Sequence, residues 1–161
     1  MIPTRVGFLQ SLVDARLVFP DLKATNLEEL LAEMSEKVAG AGLVRDPEDL
    51  ARRLLEREKL GCTGLGDGVA IPHCKLKEVE DVVLAIGVSP TGVDFHASDG
   101  IPVSLIFLAL SPADAPALHL QALARISRVL RIPGIADSLR RAASAEEIAE
   151  TLREAEAEVK A

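Results

Sequence analysis

Two runs of this chain, residues 82–88 (VVLAIGV) and 103–110 (VSLIFLAL), are apolar at almost every position rather than at alternate ones. A strand with one wet face alternates. Unbroken runs of β-branched residues and leucine, bounded by Pro and Gly, read as strands buried on both faces. Such strands need covering layers on each side, and the flanking sequence supplies helices in both directions. This constrains the fold to an α/β sandwich, a mixed β-sheet flanked by helices. At 161 residues, with no internal repeat or low-complexity linker, the chain reads as a single domain spanning residues 1–161.

The helical signals are specific. Thr25 or Asn26 caps a helix in which Leu27, Leu30, Leu31, Met34 and Val38 repeat at the spacing of one buried face, and Gly40 and Gly42 stop it. Asp46-Pro47 opens a second helix running to about Lys59, with Leu50, Leu54 and Leu55 on its apolar side. After Pro112, helices are expected over about 114–131, after Pro133-Gly134, and from Ser144, where Ser-Ala-Glu-Glu147 forms a capping box. Between these blocks, residues 16–19, 69–71 and 92–95 read as short strands. Residues 61–68 (GCTGLGDG) read as a glycine loop.

Composition removes several functions. Net charge is −7, and the chain holds four Phe with no Trp or Tyr. Nucleic-acid binding wants a basic face and often stacking aromatics, and an open sugar cleft also favours stacking rings, so neither is expected. Asp14 interrupts the N-terminal stretch before any signal-peptide core develops, and the longest apolar run, 101–110, is far short of the ~20 residues of a membrane span. Cys62 and Cys74 are too few and wrongly spaced for a disulfide scaffold. A soluble protein of the reducing cytoplasm is the expectation.

The glycine loop does not bind a nucleotide by any known fingerprint. It follows a helix and enters a strand, the reverse of the dinucleotide order, and no Gly-Lys-Ser/Thr completes a P-loop. What it offers is mobile backbone whose N–H groups at Thr63, Gly64, Gly66 and Gly68 are candidates for holding an anion. The next segment, Val69-Ala-Ile-Pro-His73, puts an imidazole at a strand end beside that loop. A neutral histidine there is a competent nucleophile toward phosphorus; its plain alternative is a surface histidine. Arg57, late in the second helix, offers a positive charge for a phosphate, or is simply solvated. His119 shares a helical face with Leu123, Ile126 and Leu130. It is either a core histidine bonded to a backbone carbonyl, the reading that position alone favours, or the second member of a site with His73. His96 reads as a surface residue. A metal site from His73, Cys74, Cys62 and His119 is disfavoured because neighbours on a strand point to opposite faces and no chelating pair exists. Cys74 reads as a packing residue.

Taken in order, Leu55-Glu-Arg-Glu-Lys-Leu-Gly61, Thr63-Gly-Leu-Gly66, Gly68-Val-Ala-Ile-Pro-His73, Val93-Asp-Phe95, Asp99-Gly-x-Pro-Val103, the stretch 108–112 and His119-Leu-x-x-Leu123-Ala-Arg-Ile-Ser-x-x-Leu130 closely resemble one family over nearly the whole chain. It is the enzyme IIA domain of the fructose/mannitol/nitrogen-regulatory class of the phosphoenolpyruvate-dependent phosphotransferase system (type 2, mannitol/fructose-like sandwich). The resemblance implies a phosphotransferase component with a phosphohistidine intermediate and no metal or cofactor. It implies His73 as acceptor of phosphate from HPr or an HPr-like phosphocarrier protein, His119 as the assisting histidine and Arg57 as stabiliser of the phosphohistidine. The surface around His73 becomes a protein docking face, with Leu65, Val69 and Ile71 at its rim or beneath it and Ile71 favoured for the core. The chain departs from the family pattern at Cys74, where Gly is common, at Asp67, where Asn is common, and at His96, a place often held by Asp. The pattern looks most like the nitrogen-regulatory type, which controls other proteins by its phosphorylation state. The alternatives are a free-standing IIA passing phosphate to a separate IIB, and a regulatory binding module that is never phosphorylated.

Overall fold

The computed structural model describes residues 13–160. The N-terminal stretch read above for targeting signals lies, up to Leu12, outside them. The chain begins with a 3-10 turn, Ala15–Leu17, and then runs β1 (Val18–Phe19), α1 (Leu27–Gly40), α2 (Pro47–Leu60), β2 (Gly64–Gly66), β3 (Val69–Ala70), β4 (His73–Leu76), β5 (Val83–Val93), β6 (Val103–Pro112), α3 (Pro116–Leu130), α4 (Ile135–Arg141) and α5 (Ala145–Lys160). Six strands form one mixed sheet of order β1-β5-β6-β3-β2, with β4 also pairing β6. The long pair β5–β6 is antiparallel, while β1 lies parallel to β5 and both β3 and β4 lie parallel to β6.

The centre of the sheet is covered on both faces, as its unbroken apolar runs require. Leu84, Ile86 and Val88 of β5 with Leu105, Phe107 and Ala109 of β6 meet α3–α5 through Leu118, Ala122, Ile126, Ile148 and Leu152. Ala85, Ile106, Leu108 and Leu110 face the other way, onto Leu30, Leu31, Met34, Leu50 and Leu54 of α1 and α2. Gly87 admits α1 closely: a Cβ there would lie 2.5 Å from Leu22 and 3.0 Å from the Met34 sulfur.

The caps form as the spacing predicts. Asn26 accepts from the Glu29 N–H at 2.9 Å, Asp46 from Asp49 at 3.1 Å with Pro47 in the first turn, and Ser144 from Glu147 at 3.1 Å. Three expectations are corrected. Residues 61–68 are not all loop, because Gly64–Gly66 pairs antiparallel with β3. His73 does not close β3, which stops at Ala70; it opens a further strand, β4, which pairs with β6 from His73↔Ala109 to Leu76↔Pro112. Residues 92–95 are no separate strand, since β5 continues through Pro90 to Val93. Proline is admitted there because β1 pairs β5 only at Ile86 and Gly87, leaving the stretch beyond as an edge on that side.

Candidate functional site

Parallel registry fixes where His73 points. It sits opposite Ala109, whose side chain belongs to the α3–α5 face, so the imidazole lies on that face. Cys74, the next residue, packs into the opposite layer, and burial pushes its thiol up to about 12. The two neighbours therefore cannot act together. Among the described residues no group of three or more His, Cys, Asp or Glu side chains is arranged to hold a metal.

His119, in the first turns of α3, is 6% exposed and comes down onto the same place: its ring centre is 5.3 Å from that of His73, with the planes tilted by 53°. Its Nδ1 lies 2.8 Å from the hydroxyl of Ser111, a fully buried residue two positions beyond Ala109 on β6. His119 is thus both buried in its helical face and next to His73, and its partner is a serine hydroxyl rather than a backbone carbonyl. His73 Nδ1 lies 2.7 Å from the Ile71 carbonyl oxygen. That oxygen only accepts, so Nδ1 carries the hydrogen and Nε2 keeps the lone pair. Burial lowers the His73 pKa against the Ile71 bond, which raises it, and the charge of Arg57 lowers it further. Burial is also the main cause of the drop in His119 to about 4, with His73 next. Both shifts favour the neutral imidazole at pH 7.

Arg57 lies in the C-terminal turn of α2, where its Nη1 donates to the Gly61 carbonyl at 2.9 Å, and its charge is felt at both His73 and His119. The neighbouring Glu58 was given no role by sequence reasoning, although a signal exists: it follows Leu50 and Leu54 at successive steps of four, which places a carboxylate in a buried stripe. It is 8% exposed and accepts from the Thr63 N–H at 2.9 Å and from the Thr63 hydroxyl. Thr63 in turn bonds to Ile71 through its carbonyl at 3.1 Å. Glu58 thus ties α2 to the open end of the β2–β3 hairpin, next to the carbonyl that orients His73.

The expected anion-holding backbone is placed differently. The Thr63 N–H is taken by Glu58 and the Gly64 N–H by the Cys62 sulfur at 3.3 Å. Gly66 and Gly68 belong to the hairpin tip, about 10 Å of extended chain from Ile71. There the backbone turns through positive φ at Gly66, Asp67 and Gly68 (92°, 56° and 79°). Asp67 donates its N–H to Asp99 at 2.9 Å, and its carbonyl accepts from Arg140 at 2.5 Å. A Cβ on Gly68 would sit 3.1 Å from both Arg140 and the Pro102 carbonyl oxygen, so the tip is built for glycine. Leu65 is 54% exposed beside it, whereas Val69 and Ile71 are buried. His96 is exposed, with its Nδ1 3.6 Å from Asp94.

No helix among the described residues is long and apolar enough to cross a membrane. Residues 11–155 match the family described as phosphoenolpyruvate-dependent sugar phosphotransferase system, EIIA 2. The nitrogen regulatory protein of Bradyrhizobium diazoefficiens is 40% identical over 140 residues, covering 87% of this chain and 91% of the relative. The crystal structure of the nitrogen regulatory protein IIA-Ntr from Neisseria meningitidis superposes with a TM-score of 0.82 at 32% identity, covering 90% of this chain and 99% of that one. The IIA of mannitol from Escherichia coli, solved in complex with phosphorylated IIB, superposes at 0.73 with 25% identity, covering 86% and 95%. The match over residues 11–155, the identity to nitrogen regulatory proteins and the shared fold agree: the chain is a member of the EIIA type 2 family of the phosphoenolpyruvate-dependent phosphotransferase system.

Proposed function

We propose that this protein carries a phosphoryl group on Nε2 of His73, received from the phosphohistidine of an HPr-like phosphocarrier, and acts as a nitrogen-regulatory IIA in the cytoplasm. The Nδ1–Ile71 hydrogen bond carries this reading, since it fixes one tautomer and aims one lone pair. The new bond forms between His73 Nε2 and phosphorus as the donor's N–P bond breaks, and that electron pair returns to the donor imidazole. Positive charge develops on the His73 ring, and the Ile71 carbonyl, accepting from Nδ1, stabilises it. The reaction asks for alignment and charge rather than further covalent machinery. Arg57 supplies the fixed positive charge toward the phosphoryl oxygens. His119 supplies a donor at Nε2 when the Ser111 hydroxyl donates to its Nδ1. The anion-holding set is therefore narrower than glycine-loop amides: two side chains, with the loop positioned by Glu58.

Docking of the phosphocarrier around His73 follows from the need to bring two histidines in line. The regulatory branch is favoured by the identity and fold agreement with nitrogen regulatory proteins. Transfer onward to a separate IIB is the second reading, supported by the mannitol IIA that was solved with its phosphorylated IIB.

Incubation with phosphoenolpyruvate, enzyme I and the phosphocarrier should add one acid-labile phosphoryl group, read by intact mass, and His73→Ala should add none. An unlabelled wild-type protein, or label persisting in His73→Ala, defeats the proposal. A IIB that discharges the label moves the protein to the sugar-uptake branch.

A further inference from the structure

A second concave site lies away from the two imidazoles, between the tip of the β2–β3 hairpin and the C-terminal end of α3. It has a volume of about 350 Å³ and is lined by Leu65, Gly66, Asp67, Val69, Ser127, Leu130, Arg131 and Ala136. Arg131 is twelve residues past His119, so along the helix axis the two are about 18 Å apart. Four apolar side chains with a few polar groups, on a half-open surface cavity, is a composition that can hold a small molecule.

The stretch of chain that supplies its α3 wall is basic. Between Arg125 and Arg141 there are five arginines and one aspartate, in a protein whose net charge is −7. Glu156 pairs with Arg125 at 2.8 Å and Asp137 with Arg140 at 3.0 Å. Among the described residues no carboxylate pairs with Arg131, which caps α3 and lines the cavity. Asp67 lines the same cavity from the other wall, so a single negative charge suits it better than two.

We propose that this cavity binds a small amphipathic carboxylate, its head paired with Arg131 and its short apolar chain laid against Leu65, Val69, Leu130 and Ala136. The occupant bridges the hairpin tip and α3. It would give the protein an effector site separate from phosphoryl transfer, and its test does not pass through that chemistry.

The probe is octanoate, titrated into the whole protein labelled with nitrogen-15 and followed by amide chemical shifts. Saturable shifts should appear at Gly66, Val69, Ser127, Leu130 and Ala136. Octanol, which keeps the chain and lacks the charge, should bind at least about tenfold more weakly, the loss expected when a charge-assisted hydrogen bond is forgone. Arg131→Gln should weaken octanoate by a similar factor, whereas Arg131→Lys should retain most of the affinity. Phosphorylation of His73 should be the same in all three proteins. Octanol binding as well as octanoate would reduce the site to a greasy surface and overturn the proposal, using the wild-type protein alone. So would the absence of saturable shifts up to about 10 mM, or unaltered octanoate affinity in Arg131→Gln.

Discussion

The β2–β3 hairpin is gripped by charged side chains at both of its ends, but in opposite surroundings. At the open end a buried carboxylate, Glu58, holds the Thr63 backbone and hydroxyl, one hydrogen bond away from Ile71. At the tip an exposed carboxylate, Asp99, holds the Asp67 N–H, and Arg140 holds its carbonyl. The same chemistry has different value in the two places, because water competes at the tip and not at the open end. The buried anchor is the one beside the histidines, so the precision of the hairpin is concentrated where His73 must be aimed.

The largest effect should come from cutting the buried anchor. Glu58→Ala strands the Thr63 N–H and hydroxyl in a site that water does not reach, and it should cost about 3 kcal/mol. Urea unfolding checks this as a lower midpoint with unchanged slope. The rate of His73 labelling should fall as well, because Ile71 is no longer held through Thr63. A loss below about 1 kcal/mol would mean that the two ends are held alike.

Acid should separate the ends by pH. His119 has a folded pKa of about 4 against an ordinary 6.5. Its folded form resists protonation, so its contribution is present above 6.5 and is lost as pH falls from there toward 4. Between pH 7 and pH 5 the loss should be about 2 kcal/mol, and the lowered His73 acts in the same direction. The Asp99 carboxyl is held below its ordinary 3.8 by the Ile101 and Asp67 N–H groups, so the tip should yield only below that pH. Unfolding free energy measured from pH 7 to pH 3.5 should therefore fall in the histidine window first, and His119→Gln should flatten most of that first fall. A wild-type curve that is flat from pH 7 to pH 5 would contradict the lowered pKa of the two histidines.

The contrast also shows what a sequence can disclose. The sheet's centre was legible because burial on two faces leaves its mark on almost every residue of 82–88 and 103–110. The caps at Asn26, Asp46 and Ser144 were legible because a cap is local chemistry. β2 was not, since two glycines around Leu65 carry no strand preference and become a strand only by pairing with β3. His73 and Arg57 stood out through their motifs. The geometry that gives His73 its tautomer did not, because Ile71's carbonyl is backbone and looks the same in any sequence. Ser111 was hidden in the same way, as a small residue at the end of an apolar run whose importance arises only when α3 sets His119 upon it.

The smallest effect should come from Arg140, and its smallness is the sharper test of the comparison. Its guanidinium makes a 2.5 Å bond to the Asp67 carbonyl and a 3.0 Å pair with Asp137, which itself is 66% exposed. Against these stands its Nε, buried with no hydrogen-bond partner. One short bond and one solvated ion pair, offset by a desolvated donor, leave a net contribution of about 1 kcal/mol or less. Arg140→Ala should therefore shift the urea midpoint only slightly and leave His73 labelling unchanged, while amide hydrogen exchange at Asp67 and Gly68 speeds up. If instead labelling falls as far as in Glu58→Ala, the tip transmits its position along the hairpin to Ile71. The two ends would then form one rigid unit rather than a fixed end and a loosely tethered one.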